Sequence, residues 1–452
     1  MKDKKVVVCA KFYKGELNPF DGSALECALE LGAKEVIVLS MAPPSSEPSL
    51  SAITRLNVKC VMVSDGAYAG SDTQATSLVL AEAIKRLNPD VIFCGRQSVD
   101  GDTAQIPPML SQRLGFNLQS KVIEINEKGF ALRDGKKGDW KEKTIYTFEK
   151  IKALRFPSIF SKIGKVEVWD NSLLNLPKEK CGLLGSPTRV IKSYESTVGR
   201  RDCKFVSFDQ LGRLIEQGLE KETIKKTSTT QEKVQEIYYV GNIKETALSI
   251  AKNGVEIDVN GKSPEEIARE LIDKSAKIVL WEDSEELKMI ASKVAVLTGA
   301  GICADCISFR LENDKFVMTR PAFGGNVTAD IIATSSMAFA TVRTVKNGQS
   351  QVVFSVGKGC VDKKEKISEL AKKYGAERAC SRIVADSGKL PYEMQVGLTG
   401  KVVSPKVYVA FGISGAVQHT CAIAGAGTII AINCDKDARI FDYADYGIIK
   451  EF

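Results

Sequence analysis

The chain is almost without histidine: one residue, His419, in 452. It also has only 3 tryptophans and 14 prolines. No apolar run nears the roughly 20 residues that a membrane-spanning helix requires, so no span is expected. One histidine cannot build an imidazole-rich metal centre. The lone Cys-x-x-Cys, Cys303 and Cys306, lacks the second pair that a structural zinc needs, so no metal site is expected. Two small core residues are the favoured reading of that pair, with a redox dithiol as the alternative. A strong excess of charge is missing too: the net charge is +7, lysines and acids are interspersed, and no basic stripe carries interleaved aromatics. That excludes a nucleic-acid footprint. Residues 1–10 are charged and then strand-like, with no secretory apolar segment. Twelve scattered cysteines fit reduced, buried thiols, and a cytoplasmic protein is expected.

What is present is alternation. Residues 5–10, 35–41, 59–64 and 91–95 are short β-branched runs, separated by amphipathic stretches at 22–32, 47–57 and 73–88. Strand and helix in turn predict a parallel sheet covered on both faces. From about 117 to 170 the runs shorten and alternate, which predicts antiparallel strands added to that sheet. Residues 172–232 read as an extended arm with one helix-like stretch, 207–220, followed by the polar linker 221–236. A second block starts near 237, with helices expected over 263–274 and 284–297. A third, 350–452, alternates again, with helices expected over 363–374 and 414–424. The division expected is 1–204, 205–236, 237–345 and 346–452.

In the third block four elements should converge at the carboxyl ends of parallel strands: Gly357-Lys358-Gly359, Ser381-Arg382, the run from Gln395 through Val396, Gly397, Leu398 and Thr399 to Lys401, and Gly412-Ile413-Ser414-Gly415-Ala416-Val417-Gln418-His419. A glycine turn between strand and helix presents free N–H groups to electron-rich ligand atoms. Strand ends meeting at one place make a dinucleotide site. Gly412-Ile-Ser414 also resembles half of a nucleophile elbow. Ala416 stands where the elbow needs glycine, and His419 lies in the same helix, facing away, so a serine hydrolase is set aside.

From about 346 onward the chain resembles the FAD-binding domain of the electron transfer flavoprotein alpha subunit. The residues that carry the likeness are Val396-Gly-Leu-Thr399-Gly-Lys401, Tyr408 through His419, Ile432-Asn433 and Ala444-Asp-Tyr-Gly447. Residues 296–343, with Thr319-Arg-Pro-Ala-Phe-Gly-Gly-Asn326, resemble the end of that subunit's first domain. The amino-terminal half is similar to the beta subunit in Asn18-Pro-Phe20, Asp72-Thr73-Gln-Ala-Thr76-Ser77 and Gly95-Arg96-Gln97-Ser-Val-Asp100-Gly101-Asp102-Thr103-Ala-Gln105. Gly182-Leu-Leu-Gly-Ser-Pro-Thr188 resembles the arm that embraces the alpha subunit. The whole resembles a beta–alpha fusion.

The resemblance implies an α/β chain of parallel-sheet nucleotide-binding domains, an adenine nucleotide alpha hydrolase-like beta half and a doubly wound FAD-binding C-terminal domain. It implies FAD held by Lys358, Ser381, Arg382, Val396 to Thr399, Gly412 to His419, Asn433 and Asp435. His419, protonated at a helix start, would stabilise negative charge on the flavin. It implies a second FAD or AMP in the beta-like half, near Cys9, Asn18, Asp72, Thr73, Thr76, Ser77, Gly95 to Gln97, Asp100 to Thr103 and Gln105. The implied function is to carry electrons from a flavin dehydrogenase of the acyl-CoA dehydrogenase type, in fatty acid β-oxidation, with NADH-dependent electron bifurcation where a second FAD is bound. The alternative is a nucleotide-binding regulatory or scaffold protein that has lost redox function. Departures from the family pattern motivate it: Lys358 for arginine, Leu398 for glutamine, Cys434 for lysine and Pro107 for glycine. About twenty residues are missing between Lys11 and Asn18, and the alpha-type first domain is reduced.

Overall fold

The computed structural model describes residues 1–451, apart from 134, 196–198, 221–232, 326, 344–349, 398 and 399. The chain falls into two units. The first comprises Met1–Lys192, Glu232–Phe323 and Ala329–Val342; the second comprises Ser193–Gln231, Gly324–Thr328 and Arg343–Phe452. Most of the expected linker lies outside the described residues.

Among the described residues the first unit holds a nine-stranded sheet. Its order is Val166–Trp169, Lys59–Val63, Glu35–Met41, Lys5–Cys9, Val91–Gly95, Thr144–Phe148, Asn117–Ile125, Gly129–Leu132 and Lys137–Asp139. Side-chain alternation builds its two layers. Val6 and Val8 pack with Ala24, Leu25 and Ala28 of the helix Pro19–Glu30. Val7 and Cys9 pack on the other face with Val79, Ala83 and Ile84 of the helix Thr73–Leu87. Strand-to-strand pairing is parallel over the first seven strands. The antiparallel addition expected over 117–170 is therefore corrected: the antiparallel pairings here are those of Gly129–Leu132, with Asn117–Ile125 on one side and Lys137–Asp139 on the other. Thr144–Phe148 is buried along its whole length, as a central parallel strand must be, and alternation in sequence carries no strand direction.

A second parallel sheet in this unit orders Ala251–Glu256, Val234–Val240, Ile278–Glu282, Ala338–Val342 and Gly301–Cys306. The Cys303/Cys306 pair straddles a register shift, with Asp305 in the left-handed region at φ 56°. Gln74, in the first turn of Thr73–Leu87, donates from Nε2 to the carbonyls of Ala295 (2.6 Å) and Ala300 (3.1 Å), tying the beta-like and alpha-like parts.

The second unit carries one parallel sheet, ordered Lys204–Phe205, Tyr446–Ile449, Thr428–Asn433, Val407–Phe411, Val352–Val356 and Glu377–Cys380. Its five C-terminal strands follow the flavodoxin-like order, reversing between Val352–Val356 and Val407–Phe411. The helix Leu211–Glu220 lays Leu211, Leu214 and Ile215 against Val352, Phe354 and Val409. The helix expected over 414–424 shrinks to Val417–Thr420. Gly415 upstream, at φ 85°, keeps the chain out of helix before it, and past Thr420 the Ala422 and Ile423 N–H groups bond only three residues back, to His419 and Thr420.

Candidate functional site

In the second unit the two strands at the reversal run out into glycines. The Gly357 N–H donates to the Phe411 carbonyl (2.7 Å) and the Gly359 N–H to that of Gly412 (3.1 Å). Gly412 has φ 61°, and a methyl there would meet the Cys360 nitrogen at 2.6 Å. The turns thus touch backbone to backbone, where only glycine fits. Asn433 fixes the second turn. Its Nδ2 donates to the Ile413 carbonyl (3.0 Å) and its Oδ1 accepts from the Asp435 N–H (3.0 Å). That amide is committed to the protein, which leaves exposed Asp435 as the freer of the two.

Ser414, Ala416 and Gln418 are exposed, whereas Ile413, Gly415, Val417 and His419 are buried. Among the described residues, the N–H groups from Ile413 through Gln418 find no acceptor. Lys358 is exposed on the neighbouring turn. Ser381 and Arg382 are half-buried beyond the edge strand, and Arg382 Nε pairs with Asp386 Oδ2 at 3.2 Å. Val396 and Gly397 reach the same end of the sheet through the Cys380–Gln395 bridge. Leu398 and Thr399 lie outside the described residues. Unsatisfied N–H groups in a row, close-packed glycines and a nearby ammonium suit the diphosphate of FAD.

His419 departs from its expected state. Its Nε2 lies 2.8 Å from the Tyr408 hydroxyl, and among the described residues its Nδ1 has no partner of normal hydrogen-bond geometry. Burial lowers its pKa to about 4, the Val396 backbone opposing the shift. The ring is therefore neutral at pH 7, and a four-residue helix supplies too little dipole to recharge it.

In the first unit strand order reverses between Lys5–Cys9 and Val91–Gly95. Asp21, in the first turn of Pro19–Glu30, joins the two exits. One carboxylate oxygen accepts from the Lys11 N–H (2.8 Å), the other from the Gly95 N–H (3.0 Å). A methyl at Gly95 would overlap that carboxylate. Burial raises the Asp21 pKa to about 7, with the two N–H donors and Asn18 pulling it down. Below it, Cys9 and Cys94 sit in register, and their contact and burial hold the Cys94 thiol well above its ordinary pKa.

Around these exits the expected residues gather. Asn18 Nδ2 donates to the Gln97 carbonyl (2.9 Å), Gln97 Nε2 to Asp102 (2.9 Å), and Thr73 Oγ1 to Gln105 Oε1 (2.8 Å). Lys11 pairs with Asp100 at 2.6 Å, and Arg320 Nη1 donates to the Gly101 carbonyl at 2.7 Å. Arg96 and Glu149 form a buried ion pair at 3.2 Å. Asp102 and Ala104 both have positive φ, 51° and 54°, a costly conformation for non-glycine residues. Among the described residues, several buried atoms here find no hydrogen-bond partner: Asn18 Oδ1, Arg96 Nη2, Asp100 Oδ1, Gln105 Nε2 and Arg320 Nη2. Buried polar atoms left this way are costly, and so many together fit a polar ligand such as a nucleotide.

Some expected contacts are already spent. Asp72 caps Ala75 and accepts from Thr188 Oγ1 (2.6 Å), while its N–H donates to Ser186 (2.8 Å). Ser77 donates to the Gln74 carbonyl and accepts from Arg113 (2.9 Å). Both serve as structural ties, of the arm and of the Arg113 side chain. Thr76 stays half-buried at the helix start. Pro107 falls in the first turn of Ile106–Leu114, where its missing N–H breaks no helical bond. The shortened stretch after Lys11 is closed by the hairpin Phe12–Tyr13/Glu16–Leu17, whose turn residues Lys14 and Gly15 both have positive φ. Asn18 N–H returns to the Lys11 carbonyl (2.9 Å), so both residues still reach the site. Asp21 and Lys11 were not legible as site residues, since only the fold brings them between the strand exits. Also unforeseen is an apolar surface segment: Phe156 (96% exposed), Ile159 (84%), Phe160 (86%) and Ile163 (66%).

Doubly wound sheets whose strand exits offer unsatisfied donors define a nucleotide-binding α/β protein. Comparison with known proteins narrows this. Residues 348–424 match the electron transfer flavoprotein FAD-binding domain, and residues 6–146 and 264–371 match the electron transfer flavoprotein domain. The chain is 36% identical over 196 residues to the electron transfer flavoprotein subunit beta of Clostridium acetobutylicum, covering 39% of this chain and 74% of that protein. It is 30% identical over 206 residues to the subunit alpha of Bacillus subtilis (36% of this chain, 63% of that one) and 29% over 209 residues to Protein FixB of Rhizobium meliloti (36% and 59%). It thus spans about three-fifths of these alpha-type relatives. The chain belongs to the electron transfer flavoprotein family. Beta-type relatives match its N-terminal region and alpha-type relatives its C-terminal region, so both are joined in one polypeptide. Among the described residues no helix is long and apolar enough to cross a membrane.

Proposed function

We propose that this chain is a one-polypeptide electron carrier, with FAD in the C-terminal unit and a second FAD or AMP at the strand exits of the first. The observation that carries the reading is the free N–H run from Ile413 through Gln418 beside the close-packed glycines. When bound, FAD supplies the redox chemistry, taking electrons in pairs or singly. The chain's own residues would hold and orient it: Lys358, Ser414 and Gln418 would serve its polar groups and Arg382 its ring, while Asn433 keeps the turn in place. In the first unit Arg96, Arg320, Asn18, Asp100 and Gln105 supply the donors and acceptors for a second nucleotide.

The donor we favour is a flavin dehydrogenase of the acyl-CoA dehydrogenase type, which would place the carrier in fatty acid β-oxidation. The exposed Phe156, Ile159, Phe160 and Ile163 suit a docking partner, since so many protruding apolar groups are rare on a surface that stays bare. Twelve free cysteines suit a reducing, cytoplasmic compartment. Release and quantification of bound nucleotides tests the reading. Two FAD per chain supports a bifurcating carrier and directs the next assay to NADH; one FAD with AMP supports a plain carrier. No flavin, even after reconstitution, overturns the carrier in favour of a nucleotide-binding scaffold.

A further inference from the structure

We propose that Tyr408 is a positioning residue: its hydroxyl donates to Nε2 of His419 and holds the imidazole neutral, with the proton on Nδ1. The proposal deepens the flavin reading of the C-terminal unit and rests on it for its functional meaning, although the pairing itself is read from the protein alone.

Tyr408 stands in the strand Val407–Phe411, wholly buried, and its oxygen lies 2.8 Å from Nε2. A contact that short between buried groups is a hydrogen bond, and one partner must donate. The other ring nitrogen decides which. Val396 spends its N–H on the Cys380 carbonyl (2.9 Å), so only its own carbonyl is left to face the ring, and its backbone does favour the protonated imidazole. A carbonyl facing the ring calls for N–H on Nδ1, which makes Nε2 the acceptor and Tyr408 the donor. The reverse tautomer would leave a bare Nδ1 lone pair buried against a carbonyl. Burial raises the tyrosine pKa, so the hydroxyl keeps its proton.

Among the described residues no charged side chain bears on either ring, the Cys380 thiol being the one titratable neighbour. Cys380, whose thiol burial pushes up to about 11, acts on Tyr408; Lys401, paired with Glu377, and Asp386 act in turn on that thiol. Ser355, fully buried on the adjacent strand, approaches the tyrosine side. To a bound flavin His419 then presents a fixed dipole instead of a titrating cation. Tyr408 sets the orientation of that dipole without touching the ligand.

The single histidine makes the test direct. Nitrogen NMR of full-length protein labelled with 15N-histidine shows one imidazole and needs no assignment. The expected spectrum has a pyrrole-like Nδ1 and a hydrogen-bonded, pyridine-like Nε2, and neither titrates between about pH 5.5 and 8.5. Tyr408→Phe should move the Nε2 resonance toward the unbonded pyridine-like position and shift the apparent flavin potential in reconstituted protein. A proton on Nε2 in the wild type, or a titration near the ordinary histidine range, overturns the proposal without recourse to any variant. An unchanged Nε2 resonance in folded Tyr408→Phe overturns it as well. Failure to bind FAD while the wild-type spectrum is as expected removes the flavin reading and leaves the tyrosine–histidine pairing standing.

Discussion

Asp21 makes the first unit more stable as the solution becomes mildly acidic, against the usual behaviour of a carboxylate. Its carboxyl is buried between two strand exits, and burial outweighs its two N–H donors to place the pKa at about 7, from an ordinary value of 3.8. Because the folded pKa lies above the unfolded one, the folded protein holds the proton more tightly. Folding is therefore favoured as pH falls through 7, and the gain is complete only near the ordinary carboxylate range. Between pH 8 and pH 6 the proton-linkage expression gives about 1.4 kcal/mol of added stability from this one group. All three tryptophans, Trp140, Trp169 and Trp281, lie in the first unit, so fluorescence during urea unfolding reports on it selectively. Wild-type protein should show a higher urea midpoint at pH 6 than at pH 8, and Asp21→Asn should lose that difference. Equal pH slopes in the two proteins would refute the reasoning, and a wild-type slope of opposite sign would show that the two N–H donors outweigh burial.

Other perturbations follow from the same geometry. Glu149→Gln leaves the Arg96 guanidinium buried without its main counter-charge, and should cost about 3–5 kcal/mol in the tryptophan-monitored transition. Gly412→Ala combines a left-handed backbone with a collision against Cys360; it should lower flavin retention after gel filtration well below wild type while leaving the tryptophan transition in place. Replacing Phe156 and Phe160 together by serine removes two almost fully exposed rings. The fold and flavin content should survive, and stopped-flow reduction by a flavin dehydrogenase should slow; an unchanged rate would take that segment out of docking.

The parallel strands were legible because each is a β-branched run too short and too apolar for anything but a buried strand: Lys5–Cys9, Glu35–Met41, Val91–Gly95. Helices such as Thr73–Leu87 and Pro264–Asp273 were legible from their amphipathic spacing, and the structure adds the caps Asp72 and Ser263. The glycine turn at 412–415 was legible as a ligand turn, but the helix after it was overdrawn: past Thr420 the backbone tightens into three-residue turns, which its apolar residues do not announce. Strand direction after 117 was not legible, because alternation looks alike in both directions. The state of His419 was missed for a related reason. Nothing local to its sequence places a tyrosine eleven positions earlier against its Nε2; the neighbouring strand does. Asp21 likewise reads in sequence as a helix-start acid favoured by the dipole, and only the strand order turns it into a buried bridge.

The strand Lys204–Phe205 and the helix Leu211–Glu220 complete a sheet whose other strands begin at Val352. On the ribosome these early segments are made long before their partners. At the usual ~5–20 residues per second, synthesis from Glu220 to Val409 takes roughly 10–40 s, and until then Leu211, Leu214 and Ile215 lack part of the surface they cover. The newborn chain therefore carries a bare apolar helix while the whole stretch from Glu220 to Val352 is made. Its yield in a cell will depend on what shields that helix in the interval, and slowing translation after residue 220 should lower the soluble fraction.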